Sequence, residues 1–345
     1  MHVAVSVVGV ITVFVTHNSE DREAYFGRAL PELLAIARVV LNPLDRDLTT
    51  TELVERSAGC EVVVAHRSTP GETALFEQSP ALLAFLRCAV DISTVDVDAA
   101  SAAGVLVARA DRSYVASTAE LALGLLLDLA RNISESTIDH RCTGQAPQRP
   151  GIQLRGRTAG IIGYGSIGSY LAPVLQAMGM RVLVCDPVAD ATVDGFEQCG
   201  FDLLLAQSDV VFPLAPAMPS THHLIDGAAL AGMRPGALLV NVSRGELLDE
   251  PAVAAALHSG HLGGLAMDVG QAPDQRPSPS LAMRPGVVST PHLGGLTPEN
   301  ADAQAMSAVE QVRALVAGAM PPRTVNEEHA HRVRAWWRAT GRSQE

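Results

Sequence analysis

A glycine-rich turn, Gly163–Tyr164–Gly165–Ser166–Ile167–Gly168, constrains what this chain can fold into more than any other feature. Glycines recur in many turns, so the Gly-x-Gly-x-x-Gly pattern is weak by itself, and its surroundings make it specific. The apolar run Ala159-Gly160-Ile161-Ile162 leads into Gly163, and a helical apolar stripe follows through Ile167, Leu171, Val174, Leu175 and Met178. In a strand–turn–helix unit the first glycine allows a tight turn and the second lets a pyrophosphate approach the backbone. The third lets the helix pack on the strand. Ser166 and Ile167 open the helix, whose free N–H groups suit a pyrophosphate. The next strand pattern, Arg181–Cys185, ends in Asp186–Pro187. A carboxylate there accepts hydrogen bonds from a ribose 2′-OH and repels a 2′-phosphate, which points to NAD rather than NADP. The plainer reading of Asp186 is a turn residue before proline.

Short apolar runs alternate with helical stretches on both sides of this turn. Before it, strands are expected at Ile11–Val15, Ala37–Leu41, Val62–Ala65 and Val105–Val107, and helices at Arg22–Ala35, Thr50–Ser57 and Ser79–Leu86. From it onward, strands at Thr158–Ile162, Arg181–Cys185, Val210–Phe212, Ala237–Asn241, Gly264–Met267 and Val287–Ser289 alternate with helices at Ile167–Met178, Phe201–Ala206, Gly227–Ala231 and Glu250–Ser259. Such alternation predicts parallel sheets covered by helices, an α/β protein with two doubly wound domains. A length of 345 residues, 48% apolar, supplies more than one core. Tyr114–Arg131 reads as a helix apolar nearly all round, hence buried, and residues 143–156 as an irregular connection. A last helix is expected at Pro298–Ala317.

Charge and cysteine usage exclude several classes. A formal net charge of −12 argues against nucleic acid and against an anionic membrane, while leaving room for a local basic pocket. The five cysteines are odd in number, widely spaced and contain no C-x-x-C, so reduced thiols are expected and no metal site. The apolar stretch Met1–Val15 lacks the basic start and cleavage site of a signal peptide. No run of about 18 uncharged apolar residues suggests a membrane span, and a cytoplasmic protein is expected. The tail from Glu327, with Arg332, Arg334, Trp336, Trp337, Arg338 and Arg342, reads as a terminal helix rather than a nucleic-acid arm.

Two later segments carry chemistry. Arg244, in Asn241-Val-Ser-Arg-Gly-Glu-Leu-Leu-Asp249, follows a strand end, where doubly wound sheets bind ligands. Its guanidinium fork suits a planar carboxylate; the ordinary alternative is a surface ion pair. His292, in Ser289-Thr-Pro-His-Leu-Gly-Gly295, also follows a strand end. A neutral imidazole takes a proton from a hydroxyl as hydride leaves, and imidazolium returns it in reduction. With eleven histidines in the chain, a structural role is the ordinary alternative.

With these segments in hand, the chain resembles the D-isomer-specific 2-hydroxyacid dehydrogenase family. The resemblance rests on Leu154–Gly168, Met233–Gly245, Ala266–Val269 and Thr290–Gly295, in matching order and spacing, and spans roughly residues 10 to 328. It implies a Rossmann-like NAD domain, residues 111–296, inserted into a flavodoxin-like substrate domain of residues 1–110 and 297–328, with residues 329–345 as a C-terminal tail. It further implies NAD as cofactor, a small anionic 2-hydroxy or 2-keto acid as substrate, and a homodimer. Arg244 would match the family's substrate-carboxylate arginine and His292 its acid/base. Asp268 would match the aspartate that contacts the nicotinamide amide, with Val242, Ser243 and Gly294 lining that pocket and Pro216 and Thr221 completing the cofactor set. Arg67–Ser68, in Val64-Ala-His-Arg-Ser-Thr69, resembles the substrate loop of the outer domain. The expected reaction is hydride transfer between NAD(H) and C2 of a D-2-hydroxy acid or its 2-keto acid. The alternative is an NAD(H)-responsive regulatory protein of the same fold with weak or no dehydrogenase activity.

The chain departs from that family at three points. The family's glutamate partner of the histidine falls on Pro273, and Asp274 is expected to reach His292 in its place. Arg112 and Tyr114 stand where the family has Gly and Asn, and Arg112 is expected to bind an anionic group of the substrate. The family's Gly-x-Gly before the second substrate segment reads Ala89-Val90-Asp91.

Overall fold

The computed structural model describes residues 10–272 and 274–342. Met1–Gly9, the start of the apolar N-terminal run, and Pro273, the position of the missing glutamate, lie outside the described residues. The chain divides into two compact units, residues 1–113 with 298–345, and residues 114–297.

The first unit is a five-stranded parallel sheet in the order β2-β1-β3-β4-β5. Its strands are β1 (Thr12–Val15), β2 (Arg38–Leu41), β3 (Val62–Ala65), β4 (Ala84–Arg87) and β5 (Leu106–Arg109). All residues of β3 and β4 are buried, as in a parallel sheet covered on both faces. Two expectations fail here for physical reasons. Ser79–Leu86 is not the expected helix: the preceding helix ends at Gln78 and β4 begins at Ala84. A short, continuous apolar run has the same periodicity in a buried strand as in a buried helix. Arg22–Ala35 is two helices, Ser19–Tyr25 and Ala29–Leu34. Pro31 has no N–H for the ladder and its ring clashes with the carbonyl four residues earlier, so the helix must restart. The C-terminal helix His331–Thr340 joins this unit's core through Val333 and Trp337. The Trp337 indole N–H donates to the Leu315 carbonyl at 2.8 Å.

The second unit is a seven-stranded parallel sheet in the order β12-β11-β10-β9-β6-β7-β8. Its strands are β6 (Thr158–Ile162), β7 (Arg181–Cys185), β8 (Glu197–Gln198), β9 (Val210–Pro213), β10 (Ala237–Asn241), β11 (Leu262–Met267) and β12 (Val287–Ser289). The two-residue edge strand β8 is too short to leave a pattern in the sequence. Helix Ile133–Thr143 also leaves none, because none of its residues is buried and no apolar stripe marks it. Strand order reverses between β6 and β9, the switch point at which such sheets bind ligands beyond their strand ends. Both parallel sheets therefore have the expected doubly wound form. No helix among the described residues is long and apolar enough to cross a membrane.

Candidate active site

The glycine turn leaves the carboxyl end of β6, beside the switch point. Gly163 has φ +101°, and a Cβ there would meet the Leu214–Ala215 peptide at 2.8 Å, so only glycine fits. A Cβ on Gly168 would fall 2.3 Å from the Gly163 carbonyl oxygen; its absence lets helix Ser166–Ala177 lie against the turn. At Gly165 a Cβ would meet no protein atom within 4 Å. Two glycines are thus required by the protein itself, while the third keeps space open for something else. No side chain caps the helix that starts at Ser166. This turn suits a dinucleotide pyrophosphate.

Asp186 follows β7 and does two jobs. Its carboxylate accepts N–H bonds from Val188 and Ala189, both at 2.8 Å, which is the turn role, and from Tyr164 at 2.6 Å, which ties it to the glycine turn. Burial pushes its carboxyl up, but the N–H groups of Ala189, Tyr164 and Val188 outweigh that and hold it below the usual aspartate range. Three acceptor positions are taken, and a carboxylate offers about four, so one remains for a ribose hydroxyl. Pro187 beside it is exposed. In the loop after β9, the Thr221 hydroxyl donates to the Pro216 carbonyl at 2.6 Å and fixes that segment.

Arg244 and His292 lie in the loops after β10 and β12, with Asp268 after β11 between them. Asn241, fully buried at the end of β10, donates from its amide to the Arg244 carbonyl at 2.8 Å and accepts from the Ser243 N–H at 3.0 Å. Ser243 in turn donates to the Ala215 carbonyl at 2.9 Å, and Val242 is buried. The Arg244 guanidinium donates to the Ser243 carbonyl at 2.8 Å and pairs with no acidic side chain among the described residues. The ordinary alternative for this residue, a surface ion pair, is therefore not what the fold contains.

Asp268 is 1% exposed and faces the histidine loop. Its carboxylate accepts from the Thr290 hydroxyl at 2.6 Å, the Leu293 N–H at 2.7 Å and the Gly294 N–H at 2.8 Å. These bonds grip the loop on both sides of His292, which has φ +64°. Such a conformation is uncommon for a residue with a Cβ and persists where the surroundings over-determine it. The sequence points Asp268 only toward the nicotinamide amide. Its clamp on the histidine loop, and the role of Asn241, leave no sequence signal because they depend on which donors a buried side chain meets. Gly294 packs so closely that a Cβ would come within 3.1 Å of Asp268 Oδ2.

Asp274 does not make the expected bond to His292. Its side chain is 57% exposed, lies 3.4 Å from Arg276 Nε, and accepts from the Arg276 N–H at 3.1 Å. The Gln275 N–H closes a tight turn onto the Ala272 carbonyl at 2.7 Å, and that turn brings Arg276 to the carboxylate.

The substrate-loop candidates of the first unit sit after β3. Arg67 and Ser68 are exposed, and the Ser68 hydroxyl bonds His66 Nδ1 at 2.8 Å. Arg87, at the end of β4 and 1% exposed, donates to the His66 carbonyl at 2.6 Å and the Arg67 carbonyl at 2.8 Å, so it shapes this loop from beneath. Its burial inside an apolar strand gave no sequence signal. Burial lowers its pKa to about 10. Arg112 is exposed, and its N–H donates to Asp111 at 2.8 Å. Tyr114 begins the second unit and precedes helix Val115–Arg131.

Residues 123–294 match the model of the D-isomer specific 2-hydroxyacid dehydrogenase NAD binding domain. The D-3-phosphoglycerate dehydrogenase of Mycobacterium leprae (strain TN) is 36% identical over 280 residues, covering 80% of this chain and 53% of that protein. The (S)-sulfolactate dehydrogenase of Chromohalobacter salexigens is 33% identical over 288 residues, 78% of this chain and 92% of that protein. Among solved structures, the TT0316 protein from Thermus thermophilus superposes with a TM-score of 0.81 at 29% identity, covering 91% of this chain and 100% of that one. The chain spans about half the length of the phosphoglycerate dehydrogenases that it matches.

Proposed function

We propose that this chain, which belongs to the D-isomer-specific 2-hydroxyacid dehydrogenase family, interconverts a D-2-hydroxy acid and its 2-keto acid with NAD as hydride carrier. The observation that carries the reading is the pair of loops after β10 and β12. An arginine with no acidic partner among the described residues and a clamped histidine are offered from the ends of β10 and β12, on either side of β11, joined where the Asp268 N–H donates to the Asn241 carbonyl.

Arg244 binds the substrate carboxylate through its fork and draws electron density from the keto oxygen. His292 donates a proton to that oxygen in reduction and takes it back in oxidation. Asp268 keeps the imidazole in position by holding Thr290, Leu293 and Gly294. Gly165, the first turn of helix Ser166–Ala177, and Asp186 bind the dinucleotide, with Pro187, Pro216 and Thr221 on the same strand-end edge. Val242, Ser243 and Gly294 border the nicotinamide. NAD, when bound, supplies or accepts the hydride at C4 of its nicotinamide. Arg67, Ser68, Arg112 and Tyr114 select the substrate's remaining groups. The assembly proposed is a homodimer in the cytoplasm.

A panel of glyoxylate, hydroxypyruvate, pyruvate and 3-phosphohydroxypyruvate, followed by NADH oxidation, tests this directly. At least one is expected to turn over, with kcat about a hundredfold or more lower in His292→Asn. Tight NADH binding without turnover of any D-2-hydroxy or 2-keto acid would instead favour the regulatory alternative. The exposed, arginine-paired state of Asp274 is the observation that keeps that alternative in view.

A further inference from the structure

The first unit holds a second convergence of polar side chains. Its strand order reverses between β1 and β3, so the loops leaving their carboxyl ends diverge and open a crevice. Residues from three loops meet there. His17 follows β1, Asp21 lies in the first turn of helix Ser19–Tyr25, Asp47 lies in the loop after β2, and His66 follows β3. One donor atom from each of Asp21, Asp47 and His66 lies within 4.8 Å of the others, with His66 Nδ1 3.7 Å from Asp21 Oδ2. The Asp47 carboxylate accepts no hydrogen bond among the described residues.

His17 lies beside this cluster. It is 2% exposed, and its Nδ1 is buried without a hydrogen-bond partner. Its ring sits edge-on to that of His66, with centroids 4.9 Å apart. Buried polar atoms are nearly always satisfied, so an orphaned imidazole nitrogen calls for a missing group.

We propose that this crevice binds one divalent transition-metal cation through Asp21, Asp47 and His66, beside the buried His17 ring. Two carboxylates and imidazole nitrogen are the mixed donor set that suits zinc, manganese or cobalt; calcium and magnesium take oxygen donors alone. A doubly charged ion also cancels the repulsion between the two carboxylates. The framework is stiff. The Asn42 amide donates to the Thr16 carbonyl at 3.0 Å and the Arg46 carbonyl at 3.1 Å, and the Thr16 and Thr69 hydroxyls bond at 2.6 Å. A cation on His66 Nδ1 takes the nitrogen that now holds the Ser68 hydroxyl, so occupancy releases Ser68.

The test is calorimetric titration of the chelator-treated chain with Zn²⁺. One stoichiometric equivalent is expected. Asp47→Asn, at an exposed position that leaves the fold intact by circular dichroism, and His66→Gln each weaken it by about tenfold or more, since even outer partners of metal ligands are worth that much. His222→Asn combined with His223→Asn removes the other close imidazole pair among the described residues, stacked at 3.9 Å, and leaves binding unchanged. Absence of stoichiometric binding overturns the proposal. So does binding that survives Asp47→Asn and disappears with the His222–His223 pair.

Discussion

The roles proposed for Arg244 and Asp186 rest on the geometry of single groups. Arg244 presents a planar fork held on the Ser243 carbonyl, and lysine keeps the charge while losing the two parallel donors. Arg244→Lys is expected to lower kcat/KM for the accepted keto acid by about tenfold to a hundredfold, the worth of one charge-assisted hydrogen bond. NADH affinity should stay unchanged; full retention of kcat/KM would refute the clamp. Asp186 has its folded-state pKa below the ordinary value, so its contribution is present above the unfolded pKa of about 4 and fades only as pH falls through the lowered value. NAD⁺ affinity should therefore be flat from neutral pH down to about pH 4.5. A decline beginning near pH 6 would mean that Asp186 is not the group in control.

The glycine turn makes the sharpest prediction at the scale of an element. Gly165→Ala adds a methyl where no protein atom stands within 4 Å, so the protein should fold with an unchanged Tm and lose NAD affinity. Gly168→Ala pushes a methyl to 2.3 Å from the Gly163 carbonyl oxygen, so the helix must move. Overpacking of this kind costs about 1–3 kcal/mol, and Tm should fall together with affinity. Equal behaviour of the two variants in thermal melts would contradict the division of labour. Other elements divide by how much pattern they carry. Strands β6, β7, β10 and β12 have the expected bounds because apolar runs between turn residues define them. β4 reads as helix in the sequence because burial on both faces erases alternation, and helix Ile133–Thr143 carries no apolar stripe to read.

The whole molecule is built on two units with separate cores. Both tryptophans, Trp336 and Trp337, lie in the C-terminal helix of the first unit, so their fluorescence reports on that unit. Trp337 is buried and its indole donates to Leu315, so Trp337→Ala should cost about 3–5 kcal/mol there. The melt followed by the remaining Trp336 should shift downward while NAD affinity, carried by residues 114–297, is preserved. Loss of NAD binding in parallel would show that the units unfold as one. By itself, the sequence determined the doubly wound class, the glycine turn, Asp186, and the strand-end positions of Arg244 and His292. Those features depend on spacing along the chain, which periodicity and local motifs record. Only the tertiary structure decided that Asp268 grips the histidine loop, that Asn241 orders the arginine loop, that Arg87 supports the loop after β3, and that Asp274 pairs with Arg276. A pattern of apolar residues states which faces are buried. Which donor a buried carboxylate meets depends on how separate loops converge, and no local spacing carries that information.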